Sequence, residues 1–331
     1  IKIKLPCIQD EFELEEEKSM TKMKSILSGL LLMSVLLLTA CGDKENVQSA
    51  SKEKNMDEFV IAYLPHENSE EKAELDKDFE VALEKELGVE VSSYQANSYN
   101  AAIEAMKNDK ADLAYFGPFS YIVAAERAGA EALATVESSQ ITDGPMSIFV
   151  TAADSDIDSL EDIKGKTMGF VDPVSTSGHL MPKKYIMDEF GVTLEDLEVD
   201  GKFFKNVQFA GGHDKALIGA VNKQFDVAVV AAVKADMLAD KQVVEKDSFK
   251  VIGEIPNMEV GGYGAFAIRG NHTEEMKNKV KQFLLNYDES YIGKVTGFTG
   301  GKLVEVEDRE FDAFREVAEA LKMSPEDLLA Q

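Results

Sequence analysis

From residue 59 onward, short apolar runs alternate with amphipathic segments. The run Phe59–Tyr63 has the composition of a buried strand. Between Leu75 and Leu87 apolar side chains recur every four residues, which predicts a helix ending at Gly88. Strands that alternate with helices indicate βαβ units, so we expect an α/β fold with mostly parallel sheets and flanking helices. Further strands are predicted at 89–96, 111–115, 167–171, 207–210, 226–231 and 263–268, and further helices at 101–107, 178–190, 213–223, 275–286, 309–321 and from Pro118.

The alternation restarts after Gly144, which indicates two lobes of the same type. Segments 103–114 and 218–228 echo each other, because each has a helix, a polar turn and an apolar strand opening with an aspartate, Asp112 or Asp226. The C-terminal strand and helices are expected to complete the first lobe. We therefore expect lobe 1 at 58–144 and 260–331, lobe 2 at 145–259, and a hinge near 145–149 and 253–262.

The residues before this alternation predict export. Residues 20–40 have the order of a signal peptide: Lys22 and Lys24 precede the apolar stretch Ile26–Leu38, which at 13 residues is shorter than the roughly 20 needed to span a bilayer. The stretch ends in Leu-Thr-Ala-Cys-Gly, which resembles a bacterial lipobox, so Cys41 is expected to carry a diacylglycerol with palmitate-type chains. The alternative is a short buried helix followed by a chance cysteine. Residues 41–57 read as a flexible tether, and 1–19 as a non-native extension before a start at Met20 or Met23.

Charge and cysteine content exclude several classes of protein. The formal net charge of −26 argues against a nucleic-acid partner and against broad docking on an anionic membrane surface. A small anion can still be held by local N–H and O–H groups. Two cysteines, Cys7 and Cys41, exclude a disulfide framework. The four histidines lack metal-ligand spacing and no hydrolase or phosphate-loop motif occurs, so we expect neither an enzyme nor a metal or other cofactor.

Three consecutive hydroxyl residues form the strongest candidate site. Ser175, Thr176 and Ser177 follow a predicted strand and precede a predicted helix. Their O–H groups and the free N–H groups of the first helical turn can point at one anion. The alternative is an ordinary helix cap, which needs only one hydroxyl.

Other candidates lie at equivalent strand ends. Tyr115 can donate a phenolic hydrogen bond beside Gly117, or can pack as an aromatic beneath the turn. His213 at a helix start can donate to an oxyanion, or can be a solvated loop histidine. Asp226 can accept from a protonated ligand oxygen or an ammonium group. Its echo in Asp112 favours a structural role in closing the turn.

Several of these motifs together carry a family resemblance. The segments 112–121 (Asp-Leu-Ala-Tyr-Phe-Gly-Pro-Phe-Ser-Tyr), 170–178 (Phe-Val-Asp-Pro-Val-Ser-Thr-Ser-Gly), 212–214 (Gly-His-Asp) and 225–228 resemble the phosphate/phosphite/phosphonate-binding proteins of ABC transporters. The similarity runs from about residue 59 to 321. It implies a two-lobed type II periplasmic-binding-protein fold that closes over its ligand, in a monomer anchored at the outer face of the cell membrane and serving an ABC permease.

The resemblance also implies the ligand contacts. The hydroxyl loop would grip the oxygens of phosphonate, phosphite or phosphate, and an aromatic at the end of the first strand would act as a lid. The residues implied are Ser175, Thr176, Ser177, Tyr115, His213, Asp226, His179 and the lid Tyr63. Tyr263 is expected to line the cleft. A sensory lipoprotein, a binder of another oxyanion such as a sulfonate, and an enzyme on the same fold remain the alternatives.

Overall fold

The computed structural model describes residues 58–65, 70–258, 263–298 and 300–325. The alternation of strands and helices predicted from the sequence is confirmed there. The predicted signal peptide, Cys41 and the tether lie outside these residues and stay predictions. Among the described helices, none has the length and apolar character needed to cross a membrane.

Eleven strands occur in the described residues: β1 (Glu58–Tyr63), β2 (Glu90–Gln95), β3 (Leu113–Phe116), β4 (Ala130–Glu137), β5 (Pro145–Ala152), β6 (Thr167–Phe170), β7 (Asn206–Phe209), β8 (Val227–Ala231), β9 (Phe249–Pro256), β10 (Ala265–Arg269) and β11 (Lys302–Glu305). The α-helices of the same residues are α1 (Glu70–Leu87), α2 (Tyr99–Lys107), α3 (Pro118–Ala128), α4 (Ser139–Asp143), α5 (Met181–Phe190), α6 (Leu194–Glu198), α7 (His213–Val221), α8 (Ala232–Asp240), α9 (Glu274–Leu285), α10 (Glu289–Thr296) and α11 (Asp312–Ala320).

Local sequence explains where many of these helices begin and end. Helix α3 begins with Pro118, whose fixed φ suits the first turn of a helix. Helix α1 is followed by Gly88 and α3 by Gly129, both with positive φ, which a residue with a Cβ adopts only at a cost. Side chains Ser98 and Thr273 cap α2 and α9 by accepting from backbone N–H groups.

The strands form two sheets. The first has the order β11-β4-β10-β3-β1-β2 and the second the order β7-β6-β8-β5-β9. Strand β1 shows how the first sheet is buried on both faces: Phe59 and Ile61 pack in one apolar cluster and Ala62 in another. The boundaries of the predicted lobes and their hinge stay predictions.

Strand directions differ from the expectation of mostly parallel sheets. Neighbouring strands form four parallel pairs and five antiparallel pairs in the described residues. The antiparallel pairs arise because β5, β10 and β11 run against their neighbours. Strands β5 and β10 are the ones that enter a sheet directly after the chain leaves the other sheet, so no βαβ crossover sets their direction. The α/β class is therefore correct, and the proportion of parallel strand pairs is lower than expected.

Candidate functional site

A cavity of about 180 Å³ lies where the carboxyl ends of β1, β3 and β8 meet the starts of helices. Ligand sites in open α/β sheets form at this edge. Seven of the nine predicted ligand contacts line this cavity: Tyr63, Tyr115, Ser175, Thr176, Ser177, His213 and Tyr263. Its further polar lining, which the sequence analysis did not single out, is Lys72, Tyr99, Ser120, Asp214, Lys234, Tyr291 and Thr296.

The three hydroxyl residues form a tightly held loop. Ser175 precedes one turn of π-helix, Thr176–Leu180, and its Oγ accepts from the N–H of Gly178 at 3.1 Å. A Cβ at Gly178 would lie 2.3 Å from Cγ2 of Val171, so this turn requires glycine. The Ser177 carbonyl accepts from the Ser147 hydroxyl at 2.8 Å. The predicted cap is therefore present, and it uses only one of the three hydroxyls.

The loop also reaches the first sheet. Thr176 Oγ1 accepts from the N–H of Phe119 in α3 at 2.8 Å. A hydroxyl that accepts one hydrogen bond still has its own proton to donate, so Ser175 and Thr176 can hold the loop together and donate to an anion. Ser177 Oγ makes no hydrogen bond among the described residues, and its side chain lines the cavity.

Three tyrosines contribute neutral phenols, each of which donates its proton to a backbone carbonyl. Tyr115 donates to the Tyr263 carbonyl at 3.4 Å, Tyr263 to the Met146 carbonyl at 3.3 Å, and Tyr63 to the Asp76 carbonyl at 3.4 Å. Burial raises the pKa of each phenol above its ordinary value of 10. The phenols therefore stay protonated at neutral pH and do not repel an anion.

His213 is held in one tautomer. It is the first residue of α7, and its Nδ1 accepts from the Ala231 N–H at 3.1 Å. The proton of the neutral imidazole is therefore on Nε2, which is left as a donor. Burial, and next the charge of Lys234, lower the pKa of His213 to about 3, so the ring is neutral at physiological pH.

Two lysines and an aspartate complete the charged lining. Burial lowers the pKa of Lys234 to about 7, with further lowering by Lys72 and Lys241, while Asp214 acts in the opposite direction. Burial also lowers the pKa of Lys72, against its ion pair with Asp76. No motif marked the lysines in the sequence. For Asp214 a signal existed, because it directly follows His213 at a helix start.

Asp226 and His179 are not brought to the cavity. Asp226 precedes β8 and so lies at the amino end of the strand, away from the edge where ligands bind. Its carboxylate accepts from the N–H and Oγ1 of Thr167 at 2.7 and 2.8 Å. Burial raises the pKa of Asp226, but these two hydrogen bonds outweigh burial and leave the pKa lowered. The position fits the structural role that the echo with Asp112 favoured.

His179 lies buried behind the hydroxyl loop. Its Nδ1–H donates to the Pro173 carbonyl at 2.8 Å, and its ring packs edge-on against Phe170 and Phe209. Burial, followed by the charge of Lys183, lowers its pKa well below the ordinary value, so it is neutral. His179 supports the loop from outside the cavity. In the described part of the chain, no group of His, Cys, Asp and Glu side chains is arranged to hold a metal ion.

Comparisons with known proteins agree with this geometry. Residues 61–319 match the family model of the periplasmic substrate-binding protein of phosphonate ABC transporters. The chain is 35% identical over 220 residues to the phosphate-import protein PhnD of Mycolicibacterium smegmatis, covering 65% of this chain and 66% of that protein. It is 30% identical over 212 residues to the phosphonates-binding periplasmic protein of Escherichia coli, covering 63% of this chain and 60% of that protein. The matches thus span slightly less than two thirds of each relative.

A solved structure shows the same fold. The binding protein component of an ABC phosphonate transporter from Pseudomonas aeruginosa superposes with a TM-score of 0.69 at 26% identity, covering 80% of this chain and 86% of that one. This likeness, together with the two mixed sheets and flanking helices of the present chain, confirms the expected type II periplasmic-binding-protein fold. The chain belongs to the family of periplasmic substrate-binding proteins of phosphonate ABC transporters.

Proposed function

We propose that this chain captures a phosphorus oxyanion, namely a phosphonate, phosphite or phosphate, for an ABC importer. The observation that carries the proposal is that the Ser175–Ser177 loop, Tyr115 and His213 line one cavity. The loop hydroxyls and His213 Nε2 are neutral donors at physiological pH, and charge-assisted hydrogen bonds from such groups are the strong kind. Tyr115 would turn its proton from the Tyr263 carbonyl, 3.4 Å away, to the ligand. A chain with a net charge of −26 can bind an anion here because local donors decide the affinity.

Capture is proposed to occur by closure of the two predicted lobes. Hydrogen bonds of the described residues already cross between them, among them Phe119 N–H to Thr176 Oγ1 at 2.8 Å, Tyr99 N–H to Asp172 Oδ2 at 3.3 Å, and the Tyr263 hydroxyl to the Met146 carbonyl at 3.3 Å. Opening the hinge near 145–149 and 253–262 would break them. A ligand held by the hydroxyl loop on one side and Tyr115 on the other favours closure, because it contacts both lobes only when closed.

The cellular setting forms part of the same proposal. The bound oxyanion would pass to an ABC permease, and the protein would act as an extracytoplasmic monomer. Cys41, outside the described residues, would carry the lipid that holds it at the outer face of the cell membrane. The tether 41–57 would let the domain reach the permease.

Calorimetry tests the proposed function. The protein is titrated with phosphate, phosphite, methylphosphonate, 2-aminoethylphosphonate and sulfate, since the two relatives are named for phosphate and for phosphonates. Tight binding of at least one phosphorus species is the expected result. If none of the four phosphorus species binds, the proposal is overturned. A preference for sulfate would mean that the site binds another class of oxyanion.

The variant Ser177→Ala tests whether the hydroxyl loop binds the ligand. The Ser177 hydroxyl has no hydrogen bond to lose among the described residues, so the variant should keep its stability and lose about tenfold or more in affinity. The exposed Ser139, which lies outside the cavity lining, provides the matched control Ser139→Ala. Equal ligand affinities of wild type and Ser177→Ala would show that this hydroxyl does not contact the ligand.

A further inference from the structure

The cavity contains two lysines that the oxyanion contacts proposed above do not involve. Lys72 of α1 and Lys234 of α8 both line the cavity, and they lie close enough for the charge of Lys72 to lower the pKa of Lys234. Like charges that lie close together in a buried site repel, and an anion bound beside them relieves this repulsion. The pair therefore indicates a negatively charged group on the ligand.

Aromatic side chains and an ion pair hold Lys72 at the cavity wall. Its Nζ lies 4.8 Å from the centre of the Tyr63 ring and pairs with Asp76, and the residue is only 8% exposed. Tyr63 contacts Tyr291, which stacks on Phe79 with ring centres 4.7 Å apart, and all three rings line the cavity. An ammonium group has three protons, so Lys72 can keep Asp76 and still donate to a ligand.

The lysines and the hydroxyl loop belong to different parts of the cavity wall. The loop contacts the start of α3, where Thr176 Oγ1 accepts from the Phe119 N–H at 2.8 Å. Lys72 lies instead beside the aromatic wall, which Phe266 extends by its contact with Phe79. A ligand that reaches both parts therefore needs carbon atoms between a phosphorus oxyanion at the loop and a second anionic group at the lysines.

Lys234 is unfavourable for the stability of the folded chain. Burial, together with the charges of Lys72 and Lys241, lowers its pKa to about 7, so the folded protein disfavours the charged form, although Asp214 acts in the opposite direction. Groups that lower stability and line a binding cavity are typical of functional sites. This cost agrees with a role of Lys234 in contacting the ligand.

We propose that Lys72 and Lys234 form a subsite for a second anionic group of the ligand, with a carboxylate as the simplest case. This inference rests on the proposed function and deepens it, because it names the substrate class as phosphonates whose short carbon chain ends in an anionic group. The phosphorus oxyanion binds at the hydroxyl loop, and the chain runs along the aromatic wall. A phosphonate that ends in an ammonium group is repelled by the lysines.

Calorimetry at about pH 6 with three phosphonates of similar size tests the inference. 3-Phosphonopropionate, propylphosphonate and 2-aminoethylphosphonate share a two-carbon chain that ends in a carboxylate, a methyl or an ammonium group. Wild type should bind the carboxylate compound at least about tenfold more tightly than the methyl compound, and the ammonium compound at least about tenfold more weakly. A carboxylate compound that binds no more tightly than the methyl compound overturns the inference.

The variant Lys234→Met tests whether this lysine causes the preference. Because the charged lysine is unfavourable for stability, the variant should fold. Its ratio of affinities for the carboxylate and methyl compounds should fall at least about fivefold. The exposed Lys164 lies outside the cavity lining, so Lys164→Met is the matched control and should keep the wild-type ratio. An unchanged ratio in Lys234→Met, or an equal loss in Lys164→Met, contradicts the inference.

The pH dependence of this ratio separates a ligand contact from a structural role. A bound carboxylate favours the charged form of Lys234, so the ratio in wild type should be larger at about pH 6 than at about pH 9. Burial lowers the pKa of Lys72 too, so Lys72 acts in the same direction, whereas His213 is neutral throughout. Lys241 and Asp214 are present with either ligand and cancel from the ratio. A ratio that does not change with pH contradicts the contact.

The failure of the proposed function would look different from the failure of this inference. If the proposed function is wrong, wild type binds neither phosphate nor any of the phosphonates. If only the inference is wrong, wild type still binds phosphate or methylphosphonate tightly and shows no preference for a carboxylate on the ligand.

Discussion

The two sheets use the same device at the amino ends of equivalent strands. Asp112 precedes β3 and accepts from the N–H of Val60 in β1 at 2.7 Å. Asp226 precedes β8 and accepts from the N–H of Thr167 in β6 at 2.7 Å. In each sheet the two strands are parallel neighbours. The echo between segments 103–114 and 218–228 thus corresponds to a repeated structural bond.

The two aspartates differ in their surroundings. Asp112 is buried, with an ion pair to Arg269 and with His272 Nε2 at 2.8 Å from its Oδ1. Asp226 is exposed, and its carboxylate accepts from the N–H and Oγ1 of Thr167. One strand motif therefore anchors a buried charged network in the first sheet and a surface turn in the second.

The carboxyl ends of the same strands do not repeat. Strand β3 runs into Tyr115 and Gly117, whereas β8 ends at Ala231, whose N–H fixes the tautomer of His213. The repeated features of the chain are structural, and the features that occur once build the cavity. A residue shared by both halves is therefore a poor candidate for a ligand contact in this protein.

Replacing each aspartate in turn should give the largest difference in stability between the two sheets. Asp112→Ala leaves the half-buried Arg269 paired with Asp109, but it removes the buried acceptor of Arg269, His272 and the Val60 N–H and should cost about 2–3 kcal/mol of unfolding free energy. Asp226→Ala removes exposed hydrogen bonds and should cost about 1 kcal/mol. Urea unfolding of both variants measures the difference. Equal losses would mean that the buried network adds nothing to the shared bond.

The same network has an expected pH dependence. Burial raises the pKa of Asp112, but the hydrogen bonds from His272, Arg269 and Val60 outweigh it and the pKa is lowered. A lowered carboxyl pKa stabilises the fold above the ordinary value of about 3.9 and loses this effect as the pH falls through the lowered value. The stability gap between wild type and Asp112→Asn should therefore narrow below about pH 4.

Lys234, which lines the cavity at the carboxyl ends of the strands, gives a second pH dependence of stability. Its folded pKa of about 7 lies below the ordinary value of 10.5, so the unfolded chain binds more protons between these values and stability rises with pH across that window. Lys234→Met should be more stable than wild type by a few kcal/mol below pH 7, with the gap closing toward pH 10. Thermal unfolding at both pH values tests this. The exposed Lys164, changed to Met, is the control and should show no such trend.

The glycines at the two helix starts that are joined by the Thr176–Phe119 hydrogen bond give a smaller effect. A Cβ at Gly178 would lie 2.3 Å from Val171 Cγ2, whereas at Gly117 it would lie 3.2 Å from Thr176 Oγ1. Gly178→Ala should cost about 1–3 kcal/mol because a β-branched neighbour has little freedom to move. Gly117→Ala should cost less in stability. The reverse order in thermal unfolding would show that the hydroxyl loop can relax around a methyl group.

Local patterns predicted a large part of the molecule. The spacing of apolar side chains located the helix that ends at Gly88, Pro118 marked a helix start, and three consecutive hydroxyls marked the loop. These features depend on neighbours a few residues apart along the chain. Periodicity, turn chemistry and capping act at that distance, so they can be read from the sequence.

Features that depend on distant partners could not be read in the same way. The directions of β5 and β10 follow from how the chain passes between sheets, and the Thr176–Phe119 bond joins residues 57 positions apart. The role of each aspartate depended on which end of a strand it occupies and on the groups that meet it there. Asp226 and Asp214 are the same residue type in adjacent elements, and packing against other parts of the chain left one outside the cavity and one within it.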